Sequence, residues 1–419
     1  MTARGARRIL LVTHYFPPEI GAPQSRLSEL ARYWSQGGEA VTVLTGMPNH
    51  PTGIVHAGYR GRFRMVEKQD GYRTVRTWLY ATPNEGIVRK TLGHLSFMAT
   101  SVILGMRPTG PADVVVVSSP TFFSIFSAWI LAKVKRAPLV VEVRDLWPAI
   151  FVELGVITDR RVIWLLERLE LWAYRSAAQV VVVTDGFRQD LLRRGVPAEK
   201  VHVIRNGVDL ERFDVGADGS VARRQLGVAD GEVLVLYLGA HGISHGLESV
   251  VEAGAALDGE GIRLVLVGEG AAKSRVAARA AELGAGNLTM LAGVPGAEVP
   301  GLLAAADICL VPLRDVPLFS SFIPSKIFEY LAAGKAVVGS VAGEPAAILG
   351  DAGAVVVGPE DPERLAASIR SLAADPERRR KMGEEGRRFV EEHFDRARLA
   401  EDYRLVFDAC TGAGTVGHA

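Results

Sequence analysis

Cysteine is almost missing from this chain: Cys309 and Cys410 are the only two in 419 residues, and neither belongs to a Cys-x-x-Cys pair. That leaves no material for a disulfide framework or a thiolate zinc site, and it fits a reducing, cytoplasmic compartment. Net charge is missing as well. A formal balance of +1 argues against a nucleic-acid binder, although it leaves room for local basic patches. No apolar run reaches the roughly 20 residues that a spanning helix needs. Residues 9–12 are too few for the apolar core of a signal peptide and read as a first strand. Catalytic signatures are lacking too. There is no Walker A sequence, no Gly-x-Ser-x-Gly elbow and no Asp-x-Asp pair to hold Mg²⁺ or Mn²⁺. A phosphate-rich ligand would therefore be met by Lys, Arg and helix ends, without metal or other cofactor.

Two longer apolar stretches, residues 92–106 and 122–134, read as buried helices; the first contains His94. Arg89, Lys90, Lys133, Lys135 and Arg136 flank them, a pattern that also suits peripheral attachment to anionic lipid.

What is present in quantity is alternation. Short Val-, Ile- and Leu-rich runs at 9–12, 40–44, 114–117, 139–143 and 180–183 are each followed by a helical pattern, which indicates buried parallel strands in crossover units. The composition changes after Asn206-Gly207-Val208-Asp209. A second alternation then runs through 233–238, 263–267, 288–291, 308–311, 336–338 and 354–357. The end, residues 376–407, reads as one long charged helix. An α/β chain of two halves results, joined near residues 205–220. Open parallel sheets place ligands outside the carboxyl ends of their strands, so two facing halves would hold a ligand in the cleft between them.

The loop from His14 to Arg26 (HYFPPEIGAPQSR) follows the first strand, and Gly21 and Ala22 permit close backbone approach just before a helix. Alone it reads equally as a rigid Pro-rich turn. Residues 324–334 (PSKIFEYLAAG) say more: Pro324 and Ser325 open a helix, Gly334 ends it, and Lys326 lies in its first turn, suited to a diphosphate. Glu329, one turn on, could accept from vicinal ribose hydroxyls; as isolated residues the two would pass for a surface ion pair. Gly268-Glu269-Gly270 is half a dinucleotide fingerprint, with Lys273 where the third Gly belongs.

These segments, with residues 48–53 (PNHPTG), 141–148 (VEVRDLWP), 206–209 (NGVD) and 236–246 (LYLGAHGISHG), resemble the retaining glycosyltransferases of family 4 with the GT-B fold. The likeness is greatest to the branch that builds bacterial exopolysaccharide and O-antigen, such as the colanic acid and fucosamine-type transferases, and spans nearly the whole chain. It implies two Rossmann-like domains facing across a cleft: an acceptor-binding domain over 1–205, a nucleotide-sugar-binding domain over 206–385, and a terminal helix within 386–419 returning to the first. It implies a metal-independent, retaining transfer from a nucleotide diphosphate donor. That donor would be a UDP-sugar, with N-acetylamino sugars among the candidates. The acceptor would be a glycan or lipid-linked molecule at the inner face of the plasma membrane.

By that resemblance Gly21 and Ala22 meet the donor diphosphate, Glu329 holds the ribose, Gly293 and Val294 read the base, and Gly268, Glu269 and Ser325 line the same pocket. Lys326 carries the diphosphate charge, because the loop after the second domain's first strand has Ala240, His241 and His245 where relatives commonly have Arg and Lys. The first of the family's paired glutamates falls at Ser321. Arg144 and Asp145 stand beside the reaction centre, with His14, Arg26 and His94 on the acceptor side. A nucleotide-sugar 2-epimerase of the same shape, or a non-catalytic scaffold that binds a nucleotide sugar, is the alternative; NGVD and RDLWP favour transfer.

Overall fold

The computed structural model describes residues 6–19, 21–50, 52–83, 86–119, 122–153, 155 and 157–411. The chain divides into two compact units, one of residues 1–205 with 396–419 and one of residues 206–395.

Unit 1 is built on an eight-stranded sheet: β1 (Arg8–Val12), β2 (Ala40–Gly46), β3 (Arg64–Gln69), β4 (Tyr72–Thr77), β5 (Val114–Ser118), β6 (Leu139–Val143), β7 (Gln179–Val182) and β8 (Val201–Val203). Their order is β3-β4-β2-β1-β5-β6-β7-β8, and every pairing is parallel except β3 with β4. Runs such as VVVVS in β5 are buried at every position, because helices cover both faces of a parallel sheet. The β3–β4 hairpin has no apolar run to mark it in the sequence. Its strands are polar, since β3 is an edge with one face in water, yet its Asp70-Gly71 turn is a hairpin signal, both residues adopting positive φ.

Unit 2 carries a six-stranded, all-parallel sheet: β9 (Val233–Leu238), β10 (Ile262–Val267), β11 (Leu288–Leu291), β12 (Ile308–Pro312), β13 (Ala336–Ser340) and β14 (Val355–Val357). The order β11-β10-β9-β12-β13-β14 is that of a dinucleotide-binding sheet, and its direction of winding reverses between β9 and β12.

The long terminal helix expected over 376–407 is two helices. Pro376–His393 stays on unit 2, where Gly383 and Gly386 let it press closely: a Cβ on Gly386 would sit 2.6 Å from the Leu331 side chain. Arg396–Thr411 packs against Ala22–Gln36 in unit 1. The return therefore begins at Arg396 and not at 386; residues 412–419 of the expected tail lie outside the described residues. In unit 1 the Trp34 indole donates to the Ala400 carbonyl at 3.1 Å, and its ring meets those of Tyr403 and Phe407 edge-on.

The two apolar stretches differ in fate. Phe122–Lys135 buries Phe122, Ile125, Ala128 and Leu131. Ile87–Ile103 buries Phe97 but leaves Val88, Leu92 and Ile103 in solvent, which corrects the expectation of a buried helix there. Among the described residues no helix is long and apolar enough to cross a membrane.

Candidate functional site

In unit 2 the loops at the carboxyl ends of four adjacent strands are laced together. The His241 N–H donates to the Glu269 carbonyl at 2.8 Å, and the Ala272 N–H to the His241 carbonyl at 2.9 Å. Gly268 and Gly270 have positive φ, and a Cβ on either would strike the backbone of the loop after β9, at Gly239 and His241 respectively. Gly268→Ala should accordingly destabilise the protein by about 1–3 kcal/mol, read as a lowered denaturant midpoint. Lys273, which spoils the dinucleotide fingerprint, closes the loop in its place. Its ammonium donates to the carbonyls of Gly268 (2.9 Å) and Leu291 (3.0 Å) and to the Glu269 carboxylate (2.8 Å).

Above this floor three basic side chains gather round the Tyr237 ring. The Lys326 Nζ lies 3.7 Å from its centroid, and the His241 and His245 rings are 5.8 and 6.0 Å away. Lys326 Nζ, both ring nitrogens of His241 and Nδ1 of His245 are buried with no hydrogen-bond partner. Burial drives the Lys326 pKa down to about 7 against the pull of the Glu329 carboxylate. Burial, with Lys273 and Lys326 adding repulsion, takes His241 to about 4, and His245 is held well below its ordinary value mainly by burial. Buried donors left unpaired in a native fold call for an explanation, and a cradle that awaits an anion supplies one. The half-buried Glu329 lies one turn along from Lys326 on the helix Lys326–Ala332, which Ser325 caps without a side-chain bond. Gly293 packs beside Glu269, where an added Cβ would lie 3.7 Å from the Glu269 Cγ; Val294 is half-buried next to it. Ser321 sits in the short turn Pro317–Ser321.

In unit 1 His14 and His94 come together with ring centroids 4.5 Å apart, walled by Tyr15 and Phe97. The Nδ1 atoms of both are buried and unpartnered. Burial, aided by Lys90, lowers His94 to about 4, and burial with the neighbouring imidazoles lowers His14 well below its usual range. Glu19, absent from the sequence candidates, braces this corner by accepting the N–H groups of Phe16 (3.0 Å), Asn49 (2.7 Å) and His50 (2.8 Å). Gly21 forms the N-cap of Ala22–Gln36 without a side-chain cap; the Ala22 side chain lies outside the described residues.

Arg26 is placed elsewhere. It is buried and paired with Glu142 at the end of β6, and it also donates to the Tyr403 hydroxyl at 3.3 Å, while that hydroxyl donates to Glu142. Its guanidinium is thus committed to the core of unit 1 and does not join the His14–His94 corner. Arg144 lies beside this group with Nε and Nη1 buried and unpaired, its backbone N–H bonded to Ser119 Oγ at 3.1 Å. Burial raises the Asp145 carboxyl above its ordinary value, and Arg144 opposes that. Glu142 and Tyr237 were the residues hardest to read from sequence: one is an acid within an apolar strand, the other an aromatic that passes for core.

Two family models match the chain, "Glycosyl transferase 4-like domain" over residues 21–207 and "Glycosyl transferases group 1" over residues 220–389. The chain is 27% identical over 384 residues to the glycosyl transferase WcaI of Escherichia coli, a protein named for colanic acid biosynthesis; the match covers 88% of this chain and 93% of WcaI. Its fold is shared with sucrose-phosphate synthase from Thermosynechococcus elongatus (TM-score 0.74, 21% identity, 97% of this chain and 100% of that one). The same holds for HepE of Anabaena in complex with UDP and glucose (TM-score 0.72, 19% identity, 96% and 100%).

Proposed function

This chain belongs to the family 4 glycosyltransferases of GT-B fold, and from that premise we propose a retaining, metal-independent transfer from a UDP-sugar to a glycan or lipid-linked acceptor in cell-surface polysaccharide synthesis. The observation that carries this reading is the unpaired cluster of Lys326, His241 and His245 at the carboxyl ends of β9 and β12. A diphosphate seated there accepts from the Lys326 ammonium and from one N–H of each imidazole, and draws a proton onto Lys326. As the leaving diphosphate gains charge, the buried Lys326 ammonium stabilises it where the surrounding protein makes such an interaction strong. The acceptor hydroxyl attacks the anomeric carbon from the face that the diphosphate leaves: the new C–O bond forms as the bond to the diphosphate breaks, and the hydroxyl proton passes to the departing diphosphate. UDP is favoured because HepE, the fold neighbour, holds it, and the polysaccharide role because WcaI is named for one.

Glu329 is assigned the ribose, with Gly293 and Val294 at the base and Gly268 and Glu269 along the pocket. On unit 1, His14 and His94 are assigned the acceptor, and Arg144 and Asp145 the neighbourhood of the reacting bond. Glu329→Gln keeps the shape but loses charged acceptors, whose bonds are worth about 1.5–3 kcal/mol; free UDP should bind more weakly, on the order of tenfold or more, by titration calorimetry. The function itself is tested by incubating the protein with labelled nucleotide sugars and membrane extracts, with and without EDTA. Transfer that survives chelation is expected. Epimer formation, binding without turnover, or a loss restored by Mn²⁺ would overturn the reading. Peripheral contact with anionic lipid belongs to the same proposal, and salt-sensitive sedimentation with anionic vesicles checks it.

A further inference from the structure

Beside the carboxyl ends of β2 and β4 in unit 1 lies a cavity of about 440 Å³, within the range of small-molecule sites. Met47 and Leu79, both buried, form its floor, and its walls include Ile54, Phe63 and Trp78. Those wall residues are 49%, 70% and 39% exposed, an unusual cost for large apolar side chains on one small area of surface. Arg60 and Arg62 also line it, and both are exposed. Arg60 is tied by its Nε to the Val55 carbonyl at 2.9 Å, which fixes the basic edge in place.

We infer that this cavity binds the hydrocarbon chain of a phosphate-bearing lipid, with the phosphate at Arg60 and Arg62. The inference rests on the proposed lipid-linked acceptor and adds to it a site and residues. Two further observations support the assignment. First, the cavity wall and the acceptor corner are one loop: the Gly53 N–H donates to the Asn49 carbonyl at 2.7 Å, and Asn49 and His50 are the residues whose N–H groups Glu19 holds against His14. The cavity therefore shares a loop with the acceptor corner. Second, the loop is braced for the purpose. Gly53 has a positive φ, and a Cβ there would strike the Thr82 carbonyl, so the wall stands fast against the segment after β4 while its apolar side chains stay open. An apolar tail together with an anionic head matches this pairing of aromatic walls and arginine edge. A sugar would leave the first unmatched, and a neutral lipid the second.

The full chain is titrated with n-alkyl phosphates of four to sixteen carbons, each below its micelle concentration. Affinity should climb roughly fourfold per methylene, the equivalent of burying each one, and level off once the cavity is full. Ile54→Asp and Phe63→Ser, both surface changes, should flatten the climb and cost the twelve-carbon compound tenfold or more, with an unchanged unfolding transition as the check on folding. No dependence on chain length overturns the inference. So does a climb that the two variants share, or one that never levels off, which would mark adsorption to a broad apolar surface. UDP binding by the same samples, and transfer to lipid-linked against soluble acceptors, test the donor and acceptor readings separately, so either can fail without the cavity failing.

Discussion

Lys326→Ala should lower turnover of the nucleotide-sugar on the order of 10²–10³-fold, the usual loss when one preorganised donor to developing negative charge is removed. The binding of free UDP should fall by much less. The reason lies in timing: the diphosphate of the bound substrate is already anionic, but its bridging oxygen gains charge only as the sugar departs, so the ammonium contributes most in the transition state. The structure adds a pH signature. Because burial leaves the empty site's Lys326 near 7, much of it is neutral at pH 8 and must take up a proton when a diphosphate arrives. Affinity for UDP should therefore weaken roughly tenfold between pH 7 and 8.5, a range in which the free nucleotide's phosphates are already mostly ionised. The empty protein should show the opposite trend. A lysine depressed from 10.5 binds its proton more readily when unfolded, so its contribution to stability rises as pH climbs from about 7 towards 10. In Lys326→Ala both slopes should vanish. A pH-independent UDP affinity in the wild-type protein would mean that the diphosphate is held without this amine.

Glu142→Gln should be the most damaging single change in unit 1. Burial pushes the Glu142 carboxyl up, but Arg26 and Arg144 outweigh it and hold the group at about 2. Removing the negative charge leaves buried guanidiniums facing one another. Breaking a buried pair by deleting one partner costs about 3–5 kcal/mol. For a unit of this size that corresponds to a fall of roughly 6–20 °C in the melting transition assigned to it. The expected acid sensitivity follows from the same shift: the stabilisation is complete above the ordinary carboxylate range and is lost as pH falls from about 4.5 towards 2. Tyr403→Phe removes only one hydroxyl from the group and should cost about 1 kcal/mol. Equal losses in the two variants, followed by calorimetry, would show that the hydrogen bonds of the Tyr403 hydroxyl, and not the Glu142 charge, carry the group.

How far such features were legible in the chain depends on what period they left in it. The buried strands announced themselves because a strand covered on both faces must be apolar throughout: residues 139–143 and 233–238 match β6 and β9 end to end. β3 and β4 did not, since an edge hairpin writes itself in Arg, Glu and Thr. The helix break at Phe394–Asp395 was hidden because two charged helices in series have the same composition as one; only the glycines at 383 and 386 hinted at a docking surface. In the site, Lys326 and Glu329 could be picked out on helical spacing. The partnership of Lys326 with Tyr237 could not, because it depends on the sheet bringing positions 237 and 326 together. Arg26 reads as an acceptor-side residue for the same reason: nothing near it in sequence shows that its counter-charge is Glu142.

The split of unit 1 across the two ends of the chain has a consequence for its biosynthesis. The face of Leu30 and Trp34 is completed by Leu399, Tyr403 and Phe407. Those residues emerge from a ribosome only after all of residues 206–395 have been made, roughly 10–40 s later at ordinary elongation rates. Unit 2, an uninterrupted segment, can fold during that interval, while unit 1 waits with one helix of its core missing. A truncation or frameshift after Asp395 would therefore spare the later-made unit and cripple the earlier one. The nascent first half is the part that a holding chaperone would be expected to meet.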